Sequence, residues 1–132
     1  MGEKTESIKK AAMDYIEGWY QASPERMERA LHPELAKRAV QNLEGEDHLR
    51  PITFERMMEL VKSKNEDREA LEKIECEILD VYGNMACAKT VSPDFIDYLH
   101  MAKWEGQWKI INALWEFTPE AKKRFEAAQK QK

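Results

Sequence analysis

Phe95 to Phe117 reads FIDYLHMAKWEGQWKIINALWEF. Two runs of aromatic and β-branched residues flank Trp104-Glu105-Gly106, which is the composition of two long strands joined by a tight turn. Both runs are apolar on both faces, and a sheet with one wet side would not tolerate that. Helices and a ligand pocket are expected over one face, and a second copy of the chain over the other.

The register of this hairpin decides which side chains share a face. A two-residue loop at Glu105-Gly106 sets Lys103 opposite Trp108. A three-residue loop ending in Gly106 sets Lys103 opposite Gln107, with glycine in the left-handed position. Glu-Gly is a weaker two-residue signal than Asn-Gly, so the second loop is expected. One face then carries Asp97, Leu99, Met101, Ile111, Ala113, Trp115 and Phe117. The other carries Ile96, Tyr98, His100, Ala102, Trp108, Ile110, Asn112 and Leu114. A slip of one residue would reshuffle both sets.

The chain has 132 residues, so one domain spanning 1–132 is expected. Charged residues make up 35% and apolar residues 42%, as in a globular protein with a single core. The net charge of −4 and the lack of a basic stripe argue against nucleic-acid binding. MGEKTESIKK has no apolar stretch of the secretory kind, and no run approaches the ~20 apolar residues of a membrane span. Gly2 would suit myristoylation, but Glu6 stands where that motif needs Ser or Thr. Cys76 and Cys87 fall on strands paired through Gly83-Asn84, with Cys76 opposite Val91 and Cys87 opposite Asp80. They are too far apart for a disulfide, and two free thiols point to a cytoplasmic protein.

Residues 5–21 carry Ile8, Ala11, Ala12, Tyr15, Ile16, Trp19 and Tyr20 at helical spacing, with Thr5 as N-cap. Ser23-Pro24-Glu25 opens a second helix that buries Met27, Ala30 and Leu31 and stops at His32-Pro33. Leu35 to Gln41 alternates like a short strand, although a helix is also compatible. Residues 44–47 turn, and His48 to Ile52 returns as an edge strand that tolerates Pro51. Thr53 caps a third helix facing inward through Phe54, Met57, Met58 and Val61. Lys62 to Lys73 reads as a solvated connection. Ile74-Cys76-Ile78 alternates, then shifts phase at Leu79 as at a bulge. Gly83-Asn84 leads to Met85–Val91, and Ser92-Pro93-Asp94 leads into the central hairpin. Thr118-Pro119-Glu120 caps a last helix anchored by Phe125. Three helices with a minor strand pair, followed by four antiparallel strands, make an α+β fold. A curved antiparallel sheet wrapped around helices leaves a cone-shaped hollow, open at one end.

With this order of elements, the segments AAMDYIEGWY, ALHPELAKRAV and WEGQWKIINALWEF resemble the nuclear-transport-factor-two-like (cystatin-like) superfamily. The resemblance covers residues 6–118 and is strongest to its putative lumazine-binding, polyketide-cyclase-like (SnoaL-like) branch. It implies the cone-shaped fold. It does not imply one function, because this fold hosts isomerases, cyclases, dehydratases and binding modules. The superfamily's steroid isomerases carry a tyrosine in a segment like that of Tyr15. It forms an oxyanion hole with a neutral aspartic acid placed as Asp97 is. A pocket tryptophan matches Trp115. The isomerases' carboxylate base has no counterpart, since this chain has Lys37-Arg38-Ala39-Val40 there.

Candidate ligand-binding residues are therefore Tyr15, Trp19, His32, Asp97, Met101, Ala113 and Trp115. Asp97 on an apolar face would have a raised pKa and could donate to a ligand carbonyl or exchange a proton. A strand-end carboxylate paired with Lys103 or Arg38 is the alternative. Tyr15, Trp19 and Trp115 fit a core role as well as a ligand one, and His32 fits a helix cap. No metal-ligand spacing occurs among the three histidines, and no cofactor motif is present. The expected activity is binding of a small flat molecule between Trp19 and Trp115. The alternatives are a cofactor-independent enzyme using Asp97 and Tyr15, and an assembly domain with a vestigial pocket. A homodimer is expected through Tyr98, His100, Trp108, Ile110, Asn112 and Leu114.

Overall fold

A computed structural model of the chain describes residues 2–130. The apolar stripe of the first segment becomes α1 (Gly2–Tyr20), which buries Ile8, Ala12, Tyr15, Ile16 and Tyr20. It begins three residues before Thr5, which lies inside the helix and not at its cap. Then come α2 (Pro24–Ala30), β1 (Leu31–Leu43), β2 (Glu46–Ile52), α3 (Phe54–Lys62), α4 (Arg68–Leu71), β3 (Glu75–Tyr82), β4 (Met85–Val91), β5 (Phe95–Trp104), β6 (Gln107–Phe117) and α5 (Pro119–Lys130). Ser23, Thr53 and Thr118 each accept a bond from a backbone N–H three residues on. These bonds satisfy donors that the helix itself leaves free.

The strands form one curved, unclosed sheet in the order β2-β1-β6-β5-β4-β3. It is mixed and not wholly antiparallel, because β1 runs parallel to β6. The long path from β1 to β6, through α3, α4 and four further strands, permits that pairing. β1 starts at Leu31, four residues earlier than its alternation suggested, and β2 is the edge. The connection between α3 and β3 is not wholly solvated: α4 buries Ala70, and the Asp67 amide donates to the Tyr20 carbonyl. The expected bulge in β3 lies between Ile78 and Asp80. It sets Cys76 opposite Thr90 and not Val91, while Cys87 does face Asp80, and both thiols are free.

The central hairpin departs from the expected register. Its loop is the two-residue Glu105-Gly106, with Lys103 opposite Trp108. Both loop residues have positive φ, 49° and 83°, the primed turn whose twist matches that of the strands. A bulge then slips the pairing between His100/Asn112 and Met101/Ile110. The extra residue is Ile111, and the inward phase changes across it. Trp108 and Ile110 are consequently buried with Met101, and Ile111 is exposed. Beyond the bulge, Asp97, Leu99, Ala113 and Trp115 share the concave face as expected. The outer face keeps Tyr98, His100, Asn112 and Leu114, but Trp108 and Ile110 do not belong to it.

The core lies between the concave face and α1, α2 and α3. Gly18 lets α2 approach α1 closely, since a Cβ there would sit 3.1 Å from Arg26 Cβ and 3.3 Å from the Met27 amide nitrogen. The same junction is tied by Asp14, which accepts from Arg26 at 2.9 Å and Arg29 at 3.0 Å. No described helix is long and apolar enough to cross a membrane.

Candidate functional site

Strand alternation in β1 points Leu35, Lys37 and Ala39 inward and leaves Ala36, Arg38 and Val40 exposed. A lysine therefore points to the concave side of the sheet from the strand beside β6. Its Nζ donates to the Tyr15 hydroxyl at 2.6 Å, and that hydroxyl donates to Asp97 Oδ1 at 2.7 Å. Tyr15 comes from the middle of α1 and Asp97 from β5, so the chain of hydrogen bonds spans the layers. All three side chains are buried. The Lys37 ammonium also lies 4.9 Å from the centre of the Tyr15 ring and 5.6 Å from that of Trp115. At such distances the ring faces attract the cation.

The environment drives each group away from its charged form. Burial pushes the Asp97 carboxyl up, against the opposing pull of Lys37 and of the Tyr15 hydrogen bond. Burial lowers Lys37, against the attraction of Asp97. Burial first, and the Asp97 charge second, raise Tyr15 well above an ordinary phenol, so it stays protonated.

A second feature crosses the sheet here. Thr90 on β4 is the cross-strand partner of Asp97, and Asp97 is the partner of Trp115 on β6. Thr90 Oγ1, Asp97 Oδ2 and Trp115 Nε1 are all buried without a protein hydrogen-bond partner. Few buried polar atoms are left so in native proteins, and each costs about 1–3 kcal/mol. Three on adjacent strands form a row that offers an acceptor or acid, an N–H donor and a hydroxyl. Such a row can read the edge of a molecule carrying both carbonyl and N–H groups.

The residues expected from sequence divide into groups. Tyr15, Asp97 and Trp115 come together. Ala113 sits beside Lys37 in the parallel pairing and is buried. Met101 lies past the bulge, paired with Ile110 in the core. Trp19 stands one helical turn beyond Tyr15. It meets Phe95 edge-on at 6.0 Å, and Phe95 meets Trp115 edge-on at 5.4 Å. Phe95 thus contacts both tryptophans. His32 is buried elsewhere. Its ring packs edge-on against Trp104 at 4.9 Å, and its Nδ1 accepts from the Glu34 amide. The partner of Asp97 is Lys37 through Tyr15, not Lys103 or Arg38. Sequence reasoning missed Lys37 and Thr90 as site residues. The inward phase of Leu35-Lys37-Ala39 was the available signal for the first.

A separate groove of about 540 Å³ lies between α1 and the β3–β4 edge, lined by Lys9, Met13, Ile74, Cys76, Lys89 and Val91, among others. Tyr15, Lys37 and Asp97 do not line it. Among the described residues, no group of three His, Cys, Asp or Glu side chains is placed to hold a metal.

Residues 3–116 match the model of the family described as putative lumazine-binding. No curated protein matches the chain. A nuclear-transport-factor-two-like protein of unknown function from Shewanella baltica OS155 is similar in structure, with TM-score 0.71 and 18% identity over 89% of this chain and 96% of that one. A ketosteroid isomerase-like protein from Erwinia carotovora atroseptica gives TM-score 0.59 and 10% identity, over 90% and 100% of the two chains. The association domain of C. elegans CaMKII gives 0.58 and 9%, over 87% and 96%. At these identities the likeness is one of fold, the nuclear-transport-factor-two-like fold.

Proposed function

From the premise that the chain belongs to the putative lumazine-binding family, we propose that it binds a small, flat, partly polar molecule in the hollow between α1 and the concave sheet. The row of unpartnered buried atoms, Thr90 Oγ1, Asp97 Oδ2 and Trp115 Nε1, carries this reading. A heterocycle with alternating carbonyl and N–H groups would pair with all three. Lys37 and Tyr15 would sit beside its carbonyl oxygen, and Trp115 would add ring contact. The half-buried aromatics Trp19, Phe95, Trp115 and Phe117 would line its entry. Lumazine, a flat pteridine with such an edge, is the probe suggested by the family's description. Calorimetry should register its binding to the wild type. Thr90→Val and Trp115→Phe should each weaken binding ~5- to 10-fold by removing one neutral hydrogen bond. Unchanged affinity in both variants would sink the reading. Mass spectrometry of molecules co-purifying with the native protein is the complementary measurement.

A second reading is a cofactor-independent isomerase, cyclase or dehydratase using Asp97 and Tyr15. The observation favouring it is their 2.7 Å hydrogen bond between buried groups. Against it stands Lys37, a lysine where the steroid isomerases resembled by this chain have a carboxylate base.

We also propose a homodimer through the outer sheet face. Tyr98, 52% exposed, and Leu114, 49% exposed, are partners across β5 and β6, and Ile111 on β6 is 41% exposed. His100 and Asn112, 3.0 Å apart, would give it polar definition. Sedimentation that found only monomer at micromolar concentration would exclude the homodimer.

A further inference from the structure

We propose that Lys37 is a nucleophile that bonds covalently to the carbonyl carbon of an aldehyde or ketone ligand, with Tyr15 and Asp97 moving the protons. The inference rests on the reading that the hollow admits a ligand, and names a chemistry for it. A lysine whose only task was to neutralise Asp97 would be expected to touch it. Here the Tyr15 hydroxyl stands between them, at 2.6 Å from the amine and 2.7 Å from the carboxylate. Two short hydrogen bonds in series make a path for protons. Shifting one proton along each bond turns an ammonium and a carboxylate into a free amine and a carboxylic acid. Tyr15 ends as it began, a phenol. Burial of Lys37 and Asp97 favours that neutral arrangement, lowering the one and raising the other. Asp97 Oδ2, on the far side of the carboxyl, has no protein partner and is free to exchange a proton with a ligand oxygen.

The step balances without an oxidant or metal. The Nζ lone pair forms a bond to the carbonyl carbon, and the carbonyl π pair moves to oxygen. That oxygen takes a proton from Tyr15, which is refilled from Asp97. The carbinolamine nitrogen returns its extra proton along the same path. Re-protonation of the hydroxyl by Asp97, through Tyr15, then expels water and leaves a protonated imine beside the Asp97 carboxylate. Lys37 is the residue that touches the reacting carbon. Tyr15 touches the reacting oxygen. The row of Thr90 and Trp115 would orient the remainder of the ligand.

The test uses benzaldehyde with sodium cyanoborohydride at neutral pH, followed by peptide mapping of the full chain. A fully solvated model lysine amine, with a pKa of ~10.4, is almost wholly protonated at neutral pH and reacts slowly. Lys37 should be alkylated ahead of every other lysine. Tyr15→Phe, with its fold checked by circular dichroism, should slow that alkylation roughly 100-fold and leave the surface lysines unchanged. Alkylation confined to exposed lysines, with Lys37 intact, overturns the proposal and leaves Lys37 as a structural cation. Wild-type alkylation of Lys37 in Tyr15→Phe overturns the proton path. Lumazine binding by calorimetry separates the two ideas. Binding with Lys37 unreactive removes only this inference, and a reactive Lys37 without heterocycle binding removes only the proposed ligand class.

Discussion

Lys37 Nζ donates to the Tyr15 hydroxyl across 2.6 Å, joining β1 to α1 on the concave side of the sheet. That hydroxyl passes the contact on to Asp97. The three groups are therefore coupled, and removing one end leaves the other buried without its counterpart. Lys37→Met and Asp97→Asn should each destabilise the fold by about 3 kcal/mol. The double variant should lose at least ~1 kcal/mol less than the sum. Urea unfolding measures all three, and additive losses would mean that Tyr15 does not couple the two ends.

The shifts at Asp97 set a pH dependence. Its folded pKa lies above the ordinary 3.8 because of burial. The folded state therefore keeps its proton to higher pH than the unfolded chain does. The stability this contributes is full below about 3.8 and declines as pH rises towards the folded pKa. Asp97→Asn should remove that decline from a plot of unfolding free energy against pH. An unchanged slope in the variant would show that Asp97 titrates alike in both states.

Asp14 works in the opposite sense. Burial by itself would raise its pKa, but hydrogen bonds from Arg29 and Arg26 hold it below 3.8. The stability it contributes is present above about 3.8 and is lost as pH falls through the lower folded value. Asp14→Asn should destabilise the α1–α2 junction by about 2 kcal/mol at neutral pH and flatten the acid limb of the stability curve. Equal acid sensitivity in wild type and variant would contradict the assignment.

Trp108 and Tyr98 should separate core from surface. Trp108 is 7% exposed, so Trp108→Glu should abolish folding. Tyr98→Glu, on the outer face, should keep the circular dichroism spectrum and shift sedimentation to monomer. A folded Trp108→Glu protein would contradict the bulge at Ile111.

Gly18→Ala tests the close approach of α1 and α2. The added methyl would meet the Met27 backbone nitrogen at 3.3 Å, and backbone cannot swing aside as a side-chain end can. A loss of about 1–3 kcal/mol is expected despite the better helix propensity of alanine. A gain in stability would mean that the helices separate without strain.

Local chemistry was legible in the sequence because it acts over a few residues. The stripe from Ile8 to Tyr20, the Ser23, Thr53 and Thr118 caps and the turn at Gly83 follow from helical spacing, capping and backbone freedom. The inward orientation of Asp97 and Trp115 followed from strand alternation. Three things did not. The Ile111 bulge moved Trp108 and Ile110 from the outer face to the core, because the phase of a hairpin depends on packing along its whole length. The parallel pairing of β1 with β6 joined segments over 70 residues apart, which no local pattern encodes. Lys37 became the partner of Tyr15 and Asp97 only through that pairing. Sequence set its side chain on the buried face of β1. The neighbouring strand, fixed by tertiary structure alone, decided what it would meet there.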